Sequence, residues 1–159
     1  MNETYLALDL GATKLLIGEV NKKGEILNSK RYETGYMDQL SAFSIIKRSL
    51  EDYISTIGWA TSARPVSMGA GLMGGRVDNG NGIWLQIDPK RSQEIPLAED
   101  LSRTFEMPCF IDNDVKSATR AVKRWGLWPF VRQFHIHQCR LGYCCRICCE
   151  RAAYQRKSF

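Results

Sequence analysis

Leu6-Ala7-Leu8-Asp9-Leu10-Gly11-Ala12-Thr13-Lys14 sets an apolar strand against a glycine turn, with an acid at the strand's end and a hydroxyl and an ammonium beyond the turn. Backbone amides of such a turn can face phosphate, and an aspartate beside them suits a magnesium ion. Taken alone, the hexapeptide from Asp9 reads first as an ordinary Gly-containing hairpin, because short glycine motifs recur by chance. The rest of the chain weighs between the two.

Outward from that stretch, Thr4 to Leu10 reads as a buried strand and Leu15 to Val20 as its hairpin partner. Asn21-Lys22-Lys23-Gly24 is a turn cluster, and Glu25 to Tyr32 follows as a third strand, so the chain opens as an antiparallel meander. Leu40, Phe43, Ile46, Ile54 and Ile57 recur at helical spacing and predict a helix from Met37 to Ile57. Val66 to Ala70 reads as a short fourth strand. The glycines at 69, 71, 74, 75, 80 and 82 are too dense for a regular element and read as one functional loop. Pro96 opens a helix over Leu97 to Phe105, Pro108 to Ile111 is a strand, and Asp114 to Trp125 an amphipathic helix. This order predicts an α/β domain with a mixed sheet whose antiparallel part comes first.

Ile111-Asp112-Asn113-Asp114, followed by Ser117-Ala118, places a carboxylate at a helix start. An Asn-Asp pair there is commonly an N-cap, and only in company with other motifs does it suggest a base that removes a proton from an attacking hydroxyl.

With these motifs in order, residues 4–126 resemble the N-terminal lobe of the ROK family of sugar kinases and repressors, which share the actin/hexokinase-like (RNase H-like) ATPase fold. Leu6 to Lys14 resembles the family's first phosphate motif, Gly69 to Asp78 its sugar-side glycine loop, Ile95-Pro96-Leu97 with Leu101 the helix start after it, and Asn113-Asp114 its Asn-Asp motif. The resemblance implies ATP with Mg²⁺ held near Asp9, phosphate around Gly11, Thr13 and Lys14, sugar at Gly74, Asn113 and Asp114, and Asp114 as catalytic base. Met73 stands where many members have proline, and Ile87-Asp88-Pro89-Lys90 lacks their Pro-Asn sugar contact, which leaves the sugar open. No helix-turn-helix segment precedes the first strand, so the repressor branch and DNA are disfavoured as expectations.

Composition agrees with a globular chain: 44% hydrophobic and 25% charged residues argue against disorder throughout and against a fibrous chain. No stretch is long enough to span a membrane, and no secretory signal opens the sequence, so a cytoplasmic location is expected. The net charge of +5 is not spread evenly. Residues 1–126 are neutral, whereas residues 127–159 carry six basic side chains against Glu150 alone, with His135, His137 and five of the six cysteines.

That tail lacks, as written, the Gly-Thr-Gly turn, sugar-binding Glu/His cluster, zinc motif and adenosine loop with which the resemblance would continue. The family's homodimerisation and zinc rest on those parts, so neither is expected here. Three readings compete for the tail. A metal site of His135, His137, Cys139 and the pairs Cys144-Cys145 and Cys148-Cys149 departs from the usual Cys-x2-Cys spacing. A basic tail could meet nucleic acid or a membrane surface through Arg132, Arg140, Arg146, Arg151, Arg156 and Lys157, or could simply be solvated. The third reading is a shifted reading frame. Across the 26 junctions from Gln133 to Phe159, the genetic code allows the shifted product NFIYINVGSGIAAGFVVNGRLIRGKA. It reads as an apolar strand, a Gly-Ser-Gly turn, a small-residue strand and an Asn-Gly hairpin, which resembles the missing second phosphate motif.

The expectation is therefore an ATP-dependent kinase of a hexose or N-acetylhexosamine, glucokinase-like, here as a truncated and inactive product with a 127–159 tail that is no native domain. The alternative is a non-enzymatic sugar-binding or regulatory module built on the same residues.

Overall fold

The computed structural model describes residues 3–35, 39–74, 76–85, 94–121, 124, 137–139 and 142–144 of the 159. Its contacts divide into two compact units, Met1–Asp114 and Val115–Phe159.

The first unit begins with β1 (Thr4–Leu10), β2 (Lys14–Asn21) and β3 (Ile26–Glu33), an antiparallel meander with Leu10 opposite Leu15 and Thr4 opposite Asn21. The first turn is closed by the Gly11 amide donating to the Lys14 carbonyl at 2.9 Å. Helix α1 (Gln39–Thr56) then crosses to β4 (Met68–Leu72), which lies parallel to β1. After it come β5 (Arg76–Asp78), β6 (Ile83–Leu85) and β7 (Glu94–Ile95), a small antiparallel sheet of its own. Helix α2 (Leu97–Phe105) leads into β8 (Cys109–Asn113), parallel to β4. The main sheet therefore runs β3-β2-β1-β4-β8, antiparallel in its first half and parallel in its second, as the element order predicts.

Alternation in the strands and steps of three and four in the helices build one core. Leu6, Leu8 and Leu10 of β1, Leu15 and Ile17 of β2, Met68, Ala70 and Leu72 of β4 and Ile111 of β8 share a hydrophobic cluster with Ala42, Ile46, Leu50 and Tyr53 of α1 and Leu97, Ala98 and Leu101 of α2. Each fully buried leucine here contributes on the order of 1.5–3 kcal/mol. The exposed Leu40 lies off the buried face of α1, which follows 42, 46, 50 and 53 instead, and the exposed Ile57, expected as its last residue, lies just past its end at Thr56. Helix α2 carries Glu99 and Asp100 in its first turn and Arg103 in its last, charges that suit the helix dipole. It stops where Glu106 turns left-handed (φ 47°) and its amide donates to the Ser102 carbonyl.

Three strands lie later than the sequence reading places them, the third strand by one residue only, at Ile26–Glu33 against Glu25 to Tyr32. The fourth strand runs Met68–Leu72, not from Val66 to Ala70, and the later one runs Cys109–Asn113, not from Pro108 to Ile111. Gly69 and Gly71 thus lie inside a central strand rather than in a loop, because neighbours on both sides supply the ladder that glycine's own propensity does not. The remaining stretch is not one loop either, since β5 and β6 form a hairpin with Gly80 and Gly82 between them.

The second unit holds the body of α3 (Asp114–Ala121), whose Thr119 hydroxyl donates to the Val115 carbonyl at 2.7 Å, and a hairpin of β9 (His137–Cys139) and β10 (Gly142–Cys144). The expected helix residues from 122 to Trp125 other than Arg124, the start at Met37, the Ile87 to Lys90 stretch, Gly75 and most of the tail lie outside the described residues.

Candidate active site

Parallel strands leave their carboxyl ends together, and in α/β sheets that edge is where ligands bind. Here the cross-sheet register sets Leu10, Leu72 and Asn113 in one row, so the loops that follow β1, β4 and β8 start from adjacent points. The Met73 amide donates to the Leu10 carbonyl at 2.9 Å, tying the glycine loop to the end of β1.

One residue before that row, Asp9, Gly71 and Asp112 are neighbours across the three strands. Asp9 has its carboxyl held above the usual carboxylate range, first by burial and second by the negative charge of Asp114. Two carboxylates expected to share a site are thus close enough to feel each other. Gly71 lies against Asp114: a Cβ there would sit in ordinary van der Waals contact with the Asp114 Cα at 3.6 Å and the Leu8 carbonyl at 3.8 Å. Asp114 itself is buried, 7% exposed, at the first position of α3.

The remaining expected site residues fall around this pair. Gly11 and Thr13 form the β1–β2 turn, the Thr13 carbonyl accepts from the Thr34 amide at 2.9 Å, and Lys14, exposed, opens β2. Asn113 ends β8, with its amide donating to the Asp112 carboxylate at 2.9 Å. Gly74 follows β4 with φ +68°, a left-handed conformation that favours glycine. Its carbonyl accepts from the Trp84 indole at 3.1 Å.

Three contributors escaped the sequence reading. Asp112 is buried and holds the Asn113 backbone, Trp84 pins the glycine loop from β6, and Gly71 lies against Asp114. Alternation along β8 does not mark Asp112, which is buried directly after the buried Ile111. Nothing local marks Trp84, whose role depends on a hairpin between glycines.

The donor set fits a divalent cation beside phosphate: a carboxylate raised first by burial and then by a second carboxylate is an electrostatic situation that a cation relieves, and the Thr13 hydroxyl is an oxygen donor of the right kind. No group of three His, Cys, Asp or Glu side chains able to hold a metal unaided occurs among the described residues. Magnesium characteristically keeps several waters and one or two carboxylates alongside substrate phosphates, so such a group is not required. Among the described residues, no helix is long and apolar enough to cross a membrane.

A model of the ROK family matches residues 5–130 of the chain. Among solved structures, a ROK family transcriptional regulator, a homolog of the E. coli MLC protein, superposes with a TM-score of 0.69 at 23% identity, over 79% of this chain and 31% of that one. A ROK family glucokinase from Streptomyces griseus, in complex with glucose and AMPPNP, gives a TM-score of 0.61 at 21% identity, over 77% of this chain and 37% of that one. An inorganic polyphosphate/ATP-glucomannokinase from Arthrobacter sp. strain KM gives 0.62 at 18% identity, over 85% and 53%. The chain therefore spans about a third to a half of the length of these structures, and at such identities the likeness is one of fold.

Proposed function

Since this chain belongs to the ROK family over most of its length, we propose that its site is the sugar and phosphate side of an ATP-dependent sugar kinase acting on a hexose or N-acetylhexosamine. The observation that carries this reading is the electrostatic contact of Asp9 with Asp114 at the carboxyl ends of the parallel strands. One carboxylate holding a cation and the other removing a proton is the division of labour that phosphoryl transfer to an alcohol requires.

In this scheme Asp114, at the head of α3, accepts the proton of the sugar hydroxyl as its oxygen attacks the γ-phosphorus. Asn113 offers a donor and an acceptor to neighbouring sugar hydroxyls, and the backbone at Gly74 lines the sugar's other side. The amides of Gly11 to Thr13 and the Lys14 ammonium meet phosphate oxygens, where fixed donors act most strongly. Asp9 and Thr13 would hold Mg²⁺, which supplies charge neutralisation on the phosphates. The small molecules implied are ATP and a sugar, in the cytoplasm. A non-enzymatic sugar-binding module would use Asn113 and Gly74 without turnover, so ATP consumption separates the two readings.

The proposal extends to the tail. A one-base shift near residues 124–132 accounts for the basic, Cys-rich residues 127–159 and for the second phosphate motif that the other frame can encode. Residues 127–159 as written do not supply that motif, which is the ground for proposing that this reading of the frame is inactive. Resequencing the gene from codon 115 through about 300 bases past the present stop tests the frame, an interval sized to one lobe of roughly 100 residues. An open second frame encoding a zinc motif supports this reading, and an immediate stop in that frame refutes it. The restored-frame protein should release ADP with at least one sugar of a hexose and N-acetylhexosamine panel.

A further inference from the structure

Among the described residues, the buried side-chain oxygens without a hydrogen-bond partner are Thr4 Oγ1, Glu19 Oε1 and Tyr53 Oη. They belong to one place in the fold. Leu6 stands opposite Glu19 and Thr4 opposite Asn21, so Thr4 and Glu19 are diagonal neighbours on one face of the β1–β2 ladder, within reach of a shared ligand. Tyr53 comes down on them from α1. The Glu19 backbone approaches its hydroxyl without hydrogen-bond geometry, and Tyr53 is raised by burial and then by the Glu19 charge, which places the two groups together. This end of β1 is the one away from Asp9.

Glu19 is 0% exposed, and so is Tyr53, while Thr4 is 1% exposed. The Glu19 carboxylate accepts one bond, at Oε2 from the Ala60 amide at 2.7 Å, and forms no ion pair among the described residues. A carboxylate sealed in a core without a counter-charge is costly, and native structures resolve this by neutralising it, by pairing it or by coordinating a cation. Thr4, Trp59 and Ala60 also line an open cleft of about 720 Å³, which brings solvent to the wall of the cluster.

The geometry points to a monovalent-cation site formed by Glu19 Oε1, Thr4 Oγ1 and Tyr53 Oη, an ion such as K⁺, Na⁺ or NH₄⁺ joining β1, β2, α1 and the Gly58–Thr61 loop. The charge selects a cation over water: water bridges three oxygens but leaves the carboxylate's charge uncompensated. The charge count favours a monovalent ion over a divalent one: a single carboxylate among neutral hydroxyls balances one positive charge and leaves a divalent ion with an excess. Occupancy stabilises the fold by mass action, because the unfolded chain does not assemble the three oxygens.

The test is thermal unfolding of the full 159-residue chain in chloride salts of Li⁺, Na⁺, K⁺, NH₄⁺ and choline at one ionic strength. The Tm should be higher by roughly 4–8 °C in the best-fitting small cation than in choline. Glu19→Gln should erase that difference. Should Glu19→Gln fail to fold, Thr4→Val and Tyr53→Phe, which each remove one oxygen donor, should each reduce it by at least half. One Tm in all five salts, or an undiminished difference in the variants, overturns the site.

Discussion

The two ends of the β1–β2 pair carry acids with opposite fates. At one end Asp9 lies part-exposed at the mouth of the parallel strands, facing Asp114 across Gly71. At the other Glu19 is sealed beneath α1 with Thr4 and Tyr53 and is anchored by the Ala60 amide. Burial is deeper around Glu19, yet the chemistry is expected at Asp9. The difference is access and company: a carboxylate at strand carboxyl ends meets converging loops and a second carboxylate, whereas Glu19 meets hydroxyls and the end of a helix. Depth alone does not mark a catalytic acid.

The largest effect that can break this contrast is on activity. In the restored-frame protein, Asp9→Asn should lower sugar-dependent ADP release at least about 100-fold by removing the cation's carboxylate, and an initial-rate assay across Mg²⁺ concentrations would show it. A rate within a few-fold of the parent would take Asp9 out of the site. At the sealed end, Glu19→Ala should leave sugar phosphorylation chemistry untouched and cost stability instead, roughly 1–3 kcal/mol, because the Ala60 amide loses its acceptor. Urea unfolding followed by circular dichroism measures that. Trp84→Phe removes the indole nitrogen that donates to the Gly74 carbonyl and leaves a small cavity where the second ring packed, so a loss of about 1–3 kcal/mol is expected by the same measurement.

The smallest effect concerns pH. Asp9 has its folded-state pKa raised above the unfolded value, so the folded state holds its proton more tightly, and ionising Asp9 works against folding as pH rises through and beyond the carboxylate range. Asp9→Asn should therefore match the parent in Tm below that range and exceed it by a few degrees at most near neutrality. An excess that shrinks with rising pH would contradict the shift.

Much of this was legible in the sequence, and the misses have local causes. Strand β1 and helix α2 were read at their observed limits, because an apolar run ending at Asp9-Leu10-Gly11 and a Pro96 start leave little freedom. Glycine's low strand propensity ends the expected fourth strand at Ala70 and puts Gly71 in a loop, whereas pairing with β1 and β8 carries β4 two residues further and sets Gly71 against Asp114. The sequence reading ends the strand at Ile111 and leaves Asp112 outside it, whereas β8 continues through Asn113 and uses Asp112 to hold the Asn113 amide. Glu19 carried a signal that went unused: it continues the buried phase of Leu15 and Ile17, and a charge in that phase implies a partner. Strands β5 to β7 were not legible, since two- and three-residue strands exist through pairing rather than propensity.

The central claim is that Asp114 removes the sugar's proton. Asp114→Asn in the restored-frame protein keeps the size and polarity of the side chain but not its basicity, so kcat for sugar phosphorylation and the sugar Kd should be measured side by side. The account predicts a fall in kcat of about 10²–10⁴-fold with sugar affinity within a few-fold of the parent. An unchanged kcat would contradict it.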